Sequence, residues 1–231
     1  ALEKIGKLNP DLVITDLMMP VMDGIELTKK LKDEFATSHI PVVMLTAKSN
    51  MHDQIQGIDS GAEAYILKPF NSEYLRAVIA NLLKQREVII GKYAGNMNFR
   101  DEKINISNKD HLFLENIVNI IIENYSDPEF NVEKLAGQSG ISRTVFYNKI
   151  KGLTGKVPVD LLKEMRLKFA ARLLEETDRN VSEIAYMTGF NDERYFSKCF
   201  KSVYHLTPSS YRKEHQIHDK KTPVDLSRLE R

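Results

Sequence analysis

Two hydrophobic periodicities divide this chain of 231 residues. In the first third, three short apolar runs each lead into a polar residue: Leu12-Val13-Ile14 into Asp16, Val42-Val43-Met44-Leu45 into Thr46, and Tyr65-Ile66-Leu67 into Lys68. Runs this short and this apolar predict strands buried on both faces, as in a parallel sheet. Helical patterns separate them: Asp23 to Phe35 with Ile25, Leu27, Leu31 and Phe35 on one stripe, a weaker stretch from Met51 to Asp59 closed by Gly61, and Asn71 to Glu87 with Leu75, Val78, Ile79, Leu82 and Leu83. Strands alternating with helices imply right-handed crossovers and an α/β layer structure. From Asp110 onward every pattern is helical. Leu112, Leu114, Ile117, Val118, Ile121 and Ile122 share one stripe that stops near Asp127-Pro128, and a long one from Val157 to Thr177 carries Leu161, Leu162, Met165, Leu167, Phe169, Leu173 and Leu174. Between the two regimes, residues 88–109 lose periodicity around Gly91, Gly95 and a polar run. The reading is an α/β domain over 1–87, a linker over 88–109, an all-α domain over 110–216 and a tail over 217–231.

Length supports two cores, since domains commonly hold roughly 100–150 residues. A 28% charged, 42% hydrophobic mixture with a single cysteine excludes collagen-like, disulfide-stapled and thiolate-metal architectures. No apolar run reaches the roughly 20 residues of a membrane span. The chain starts at Ala1 with no signal-peptide pattern, which reads as a piece of something longer in a reducing, cytoplasmic compartment. Net charge is nearly nil, yet the sign is clustered. Ser142 to Lys156 holds Arg143, Lys149, Lys151 and Lys156 with no acid, and Arg194 to Tyr204 holds Arg194, Lys198 and Lys201 with none. Such stretches serve phosphate contacts, and a solvated helix face gives the same pattern.

Asp16, Thr46 and Lys68 are expected to converge at the carboxyl edge of the sheet, where open α/β sheets place ligand sites. A carboxylate, a hydroxyl and an ammonium suit a phosphorylated carboxylate: Asp16 as nucleophile, Thr46 bonding a phosphoryl oxygen, Lys68 pairing with its charge. With Met19-Pro20, Met22-Asp23-Gly24, Thr46-Ala47 and Lys68-Pro69-Phe70 in order, this segment resembles the receiver domain of two-component response regulators. The resemblance implies a flavodoxin-like, doubly wound parallel sheet lacking its first strand, helix and second strand. It makes Asp16 the phosphoacceptor, the Met18 carbonyl a Mg²⁺ ligand together with Asp16, Thr46 and Lys68 the sensors of the phosphoryl group, and Tyr65 an aromatic switch. An ordinary core aromatic fits Tyr65 as well. The family's acidic pair is absent, so Mg²⁺ is expected in the complete receiver and not in this chain, whose own phosphorylation should be inefficient. A phosphatase using Asp16 as nucleophile is the rival from another class, but it needs a second acid where Met18 stands.

The second half contains an internal repeat. Leu135-Ala136 is followed by Gly140-Ile141-Ser142, and Ile184-Ala185 by Gly189-Phe190-Asn191. In each copy Ala allows two helices to cross closely, Gly permits a positive-φ turn, and Ser142 or Asp192 can cap the next helix. That is helix-turn-helix grammar, twice. In the first following helix Phe146, Ile150 and Leu153 are expected inward and Arg143, Thr144, Tyr147, Asn148 and Lys151 outward. In the second, Phe196, Cys199, Phe200 and Val203 are expected inward and Glu193, Arg194, Ser197, Lys198 and Lys201 outward. These outward side chains can read base edges, with Lys151, Lys201 and Arg212 placed for phosphates. Residues 110–215 resemble the AraC-family DNA-binding domain through Ser142-Arg143-Thr144-Val145-Phe146-Tyr147, Val181-Ser182-Glu183-Ile184-Ala185, Tyr195-Phe196, Phe200-Lys201 and Thr207-Pro208.

Together the resemblances imply a transcription regulator that binds double-stranded DNA, receives its phosphoryl group from a histidine kinase domain, acts on RNA polymerase and can pair as a homodimer. The pairing looks like the carboxyl end of a hybrid sensor kinase anchored in the inner membrane. A free-standing response regulator is the alternative.

Overall fold

The computed structural model describes residues 1–47, 60–95 and 107–216, which divide into two units: Ala1–Leu114 with Thr144–Lys156, and Glu115–Arg143 with the residues from Val157 onward. In the first unit helix α1 (Leu2–Leu8) precedes strand β1 (Val13–Asp16), helix α2 (Gly24–Asp33), strand β2 (Val42–Thr46), strand β3 (Ala64–Leu67) and helix α3 (Ser72–Gly95). The strands form a parallel sheet in the order β1-β2-β3, with Asp16 opposite Leu45 and Thr46 opposite Leu67.

β2 is the central strand, and its Val42, Val43, Met44 and Thr46 are sealed from solvent. The outer strands are less covered than their apolar runs predict. Ile14 is 45% exposed and Leu67 44%, because each lies on an edge strand and only alternate residues of β1 face the core of Val13, Leu27, Leu31, Ile40 and Val42. Lys32 fastens the layers: its Nζ donates to the Ile40 carbonyl at 2.8 Å and to Glu63 Oε1 at 2.6 Å, while Glu63 Oε2 accepts from the Val42 amide at 2.7 Å. α2 starts where Asp23 Oδ1 caps the Glu26 amide at 2.8 Å. Gly24 follows because its α-carbon lies so close to the Asp16 carbonyl that a β-carbon would strike it. α3 continues past the Glu87 boundary expected from sequence: no Pro stands between Glu87 and Gly91, and the helix ends on Gly95. The helix expected over Met51–Asp59, the linker residues 96–106 and the tail 217–231 lie outside the described residues.

Over the described residues 107–216 the regular elements are helices: α4 (Asn108–Asn124), α5 (Val132–Gln138), α6 (Arg143–Thr154), α7 (Pro158–Glu176), α8 (Val181–Met187), α9 (Glu193–Tyr204) and α10 (Pro208–His215). Along α4 the buried set is Phe113, Leu114, Ile117, Val118, Ile120 and Ile121, and Leu112 is exposed where inward was expected. The stripe that starts at Asp110 and advances by three or four residues passes through Phe113 and Leu114, not Leu112. α7 is the organising helix of the second unit. Its Leu167, Ala170, Ala171, Leu173 and Leu174 meet Ile184 and Ala185 of α8, Phe196, Cys199 and Phe200 of α9 and Tyr211 of α10 in one core. Arg166, also on α7, gathers the loop before α5 by donating to the carbonyls of Tyr125, Asp127 and Phe130 at 3.0, 2.7 and 2.9 Å. Gly189 sits against that strap at φ +76, with the Tyr125 carbonyl and the Arg166 guanidinium where a side chain would start.

Candidate phosphoacceptor cluster and nucleic-acid interface

Backbone bonds stitch the three strand ends together. The Leu17 amide donates to the Leu45 carbonyl at 2.8 Å, and the Lys68 amide donates to the Thr46 carbonyl at 2.7 Å. Asp16, Thr46 and Lys68 therefore share one edge, the convergence expected from the sequence. Lys68 Nζ stands 2.5 Å from Asp16 Oδ2, and the two side chains are 37% and 41% exposed. The Met18 amide approaches the other oxygen, Oδ1, at 3.4 Å. The hydrogen bond from Lys68 holds the Asp16 carboxyl below the usual carboxylate range, so at neutral pH it is an ionised, accessible oxygen nucleophile beside a cation. Thr46 is sealed at the end of β2. Tyr65 lies opposite Met44 in the sheet and its hydroxyl donates to the Met44 sulfur at 2.8 Å.

The donors around Asp16 bear on magnesium. One carboxylate and the Met18 carbonyl are available, and one carboxylate oxygen already carries the Lys68 ammonium. Among the described residues no group of three or more His, Cys, Asp or Glu side chains gathers to hold a metal. An octahedral oxygen shell asks for more than this pair supplies, so the residues present do not by themselves fit the ion.

In the second half, α6 and α9 carry the residues read as DNA-facing. On α6, Arg143, Thr144, Tyr147 and Lys151 are exposed and Asn148 is half-buried, while Phe146, Ile150 and Leu153 are buried. Arg143 is 3.2 Å from Glu133, a solvent-exposed pair of the kind that contributes little to stability. On α9, Asp192 caps the helix by accepting from the Tyr195 amide at 2.6 Å. Glu193, Arg194, Lys198 and Lys201 are exposed, Ser197 is half-buried, and Phe196, Cys199 and Phe200 are buried. Val203, expected inward, is 38% exposed because it lies in the last turn of α9, beyond the stripe that ends at Phe200. Arg212 donates to the Arg179 carbonyl, which fixes its guanidinium within the protein. Both turn glycines take positive φ, +73 at Gly140 and +76 at Gly189.

Lys149 is the residue the sequence reading missed. Counted among the basic side chains of its segment, it is fully buried, with Nζ 2.5 Å from Asp110 Oδ1. Burial pushes its ammonium down, against the pull of Asp110. The signal was present in the spacing: Phe146, Lys149, Ile150 and Leu153 form one i, i+3, i+4, i+7 stripe, so a charge stands on the apolar face.

Comparison with known proteins meets this geometry at both ends. The response regulator receiver domain matches residues 1–80, and a helix-turn-helix domain matches residues 135–214. A probable transcriptional regulator, ycf29 of Pyropia yezoensis, is 32% identical over 149 residues, which span 63% of this chain and 67% of that protein. The chain belongs to the response-regulator family. In this response regulator the receiver segment is followed by a helix-turn-helix domain. Histidine kinase P4 of Formosa agariphila is 41% identical over 202 residues, 87% of this chain, and the response regulator spans 15% of that kinase's length. Among solved structures, the C-terminal domain of the two-component response regulator yesN from Fusobacterium nucleatum is 34% identical, with a TM-score of 0.41 over 46% of this chain and 99% of that one. Among the described residues no helix is long and apolar enough to cross a membrane.

Proposed function

We propose that this response regulator is the output end of a hybrid two-component sensor kinase. A histidine kinase domain of the same polypeptide passes a phosphoryl group to Asp16, and the helix-turn-helix half binds double-stranded DNA and controls transcription through RNA polymerase. The observation that carries the reading is the 41% identity to a histidine kinase over 202 residues, 87% of the chain. A free-standing regulator is the second reading, favoured by the match to most of ycf29. In either case the chain is a regulator and carries no kinase activity of its own; its place is the cytoplasmic side of a membrane-anchored parent in the first, and homodimer formation is the expected output state.

The chemistry asked of the first half is one substitution at phosphorus. A carboxylate oxygen of Asp16 attacks the phosphorus of a phosphohistidine, the phosphorus–nitrogen bond breaks, and the imidazole leaves neutral, keeping the proton already on its other ring nitrogen. Lys68, already 2.5 Å from the carboxylate, pairs with the new phosphoryl oxygens, and the Thr46 hydroxyl donates to one of them. Asp16 and the Met18 carbonyl would hold only part of a Mg²⁺ shell, and in a complete receiver that ion would supply further charge neutralisation. In the complete polypeptide, phosphotransfer is expected to label wild type and to be lost in Asp16→Ala; label retained by that variant, read by acid-quenched gel electrophoresis, would remove Asp16 from the role.

For the second half, Arg194→Ala is expected to relax sequence preference at the bases it reads, with a loss of about 1–3 kcal/mol on the preferred site. Lys201→Ala is expected to weaken binding evenly across sequences and to lower the salt slope by about 1. Fluorescence anisotropy across a salt series separates the two effects. Unchanged affinity in both variants would contradict the assignment of α9.

A further inference from the structure

We infer that the turn between α2 and β2 is a docking surface by which the receiver segment holds the first recognition helix, α6, with Lys149 as its anchor. The inference rests on the reading of α6 as a recognition helix and adds what fixes that helix in place. An ammonium has three protons, and buried ones need acceptors. Lys149 Nζ reaches Asp110 Oδ1 at 2.5 Å, the Ser38 hydroxyl oxygen at 2.8 Å and the Phe35 carbonyl at 2.6 Å. The turn thus supplies two of the three. Ser38 closes the ring by donating its own proton to Asp110 Oδ1 at 2.9 Å. The Phe35 ring lies 4.0 Å beneath the ammonium and packs edge-on against Phe113 at 5.6 Å, which in turn meets Phe146 of α6 at 6.4 Å. One turn along α6, Gly152 leaves room that the His39 ring occupies, since a β-carbon there would overlap it.

This is a built site for one lysine. A satisfied, buried polar network fixes one arrangement of the groups around it. The contact uses the Lys149–Gly152 side of α6 and leaves Arg143, Thr144, Tyr147 and Lys151 exposed, so it positions the helix without covering the residues read as DNA-facing. The same turn leads straight into β2, whose other end is Thr46, so the clasp on α6 and the phosphoryl-sensing edge share a single strand.

Amide hydrogen exchange of the whole chain tests the clasp without any DNA. In Ser38→Ala, exchange across Tyr147–Leu153 is expected to quicken about tenfold, the scale of one lost hydrogen bond to a charged group, with the strands unchanged. In an Asp110→Leu, Lys149→Met background, where both side-chain partners of Ser38 are gone, the same substitution should add nothing. Phe35→Leu, which keeps the carbonyl and removes the ring, should act in the same direction and covers the case in which Ser38→Ala disturbs the sheet. Unchanged α6 exchange in both variants, or an effect of equal size with and without Lys149, would overturn the inference. Because no DNA is present, a failure of the DNA-binding reading leaves this result standing.

Discussion

Lys149→Ala is expected to remove about 3–5 kcal/mol from the stability of the unit that contains it, because it leaves the Asp110 carboxylate buried beside an empty space. Asp110 is almost fully sealed, and the ammonium is its ion-pair partner at 2.5 Å. Ser38 alone cannot satisfy a buried charge with one hydroxyl proton. Replacing both members with apolar residues of similar volume, Asp110→Leu with Lys149→Met, should recover most of the loss, since a buried ion pair and a packed hydrophobic pair are often close in net stability. Urea unfolding of the single and double variants reads both effects. A single variant within about 1 kcal/mol of wild type would mean that Lys149 is not held as described.

Phe200→Ala is expected to have a comparable effect on the second unit, about 3–5 kcal/mol, by opening the centre of its core. The Phe200 ring stacks on Tyr204 at 4.5 Å, meets Tyr211 edge-on at 5.3 Å and lies 5.7 Å from Phe196. Tyr211 in turn holds Glu175 of α7 through a 2.6 Å hydrogen bond. Burial has already pushed the Tyr204 hydroxyl up to about 12. Removing the ring unties α9 and α10 from α7 together, so DNA affinity should fall although no outward residue has changed. Thermal unfolding followed by circular dichroism gives the stability change. A loss below about 1 kcal/mol would show that the site collapses around the missing ring, or that the aromatic cluster does not hold the unit together.

Several parts of this structure were legible in the residues because local and global signals agree there. The apolar runs ending at Asp16, Thr46 and Lys68 form parallel strands whose ends meet, and both Ala-then-Gly copies fold into helices joined by positive-φ turns. Asp192 caps as its position predicts. Where the reading failed, tertiary contacts decided. Lys149 stands in a basic stretch that suits phosphate contacts and a solvated helix face alike; only the neighbours supplied by Phe35, Ser38 and Asp110 make its burial affordable. Ile14 and Leu67 are as apolar as the central strand, yet their edge positions leave them exposed, and strand order is not written in a single run. Leu112 and Val203 were misplaced because each stands one step off, or past the end of, the stripe that the long-range packing selects.

The central claim is that α6 and α9 read a duplex, and selection of binding sites from a pool of random-sequence DNA tests it whatever the natural target is. This chain should enrich sequences bearing two short motifs, one for each helix. Arg194→Ala should blur one of those motifs and leave the other intact. A recovered pool indistinguishable from the input, at low salt as well as moderate, would contradict the claim.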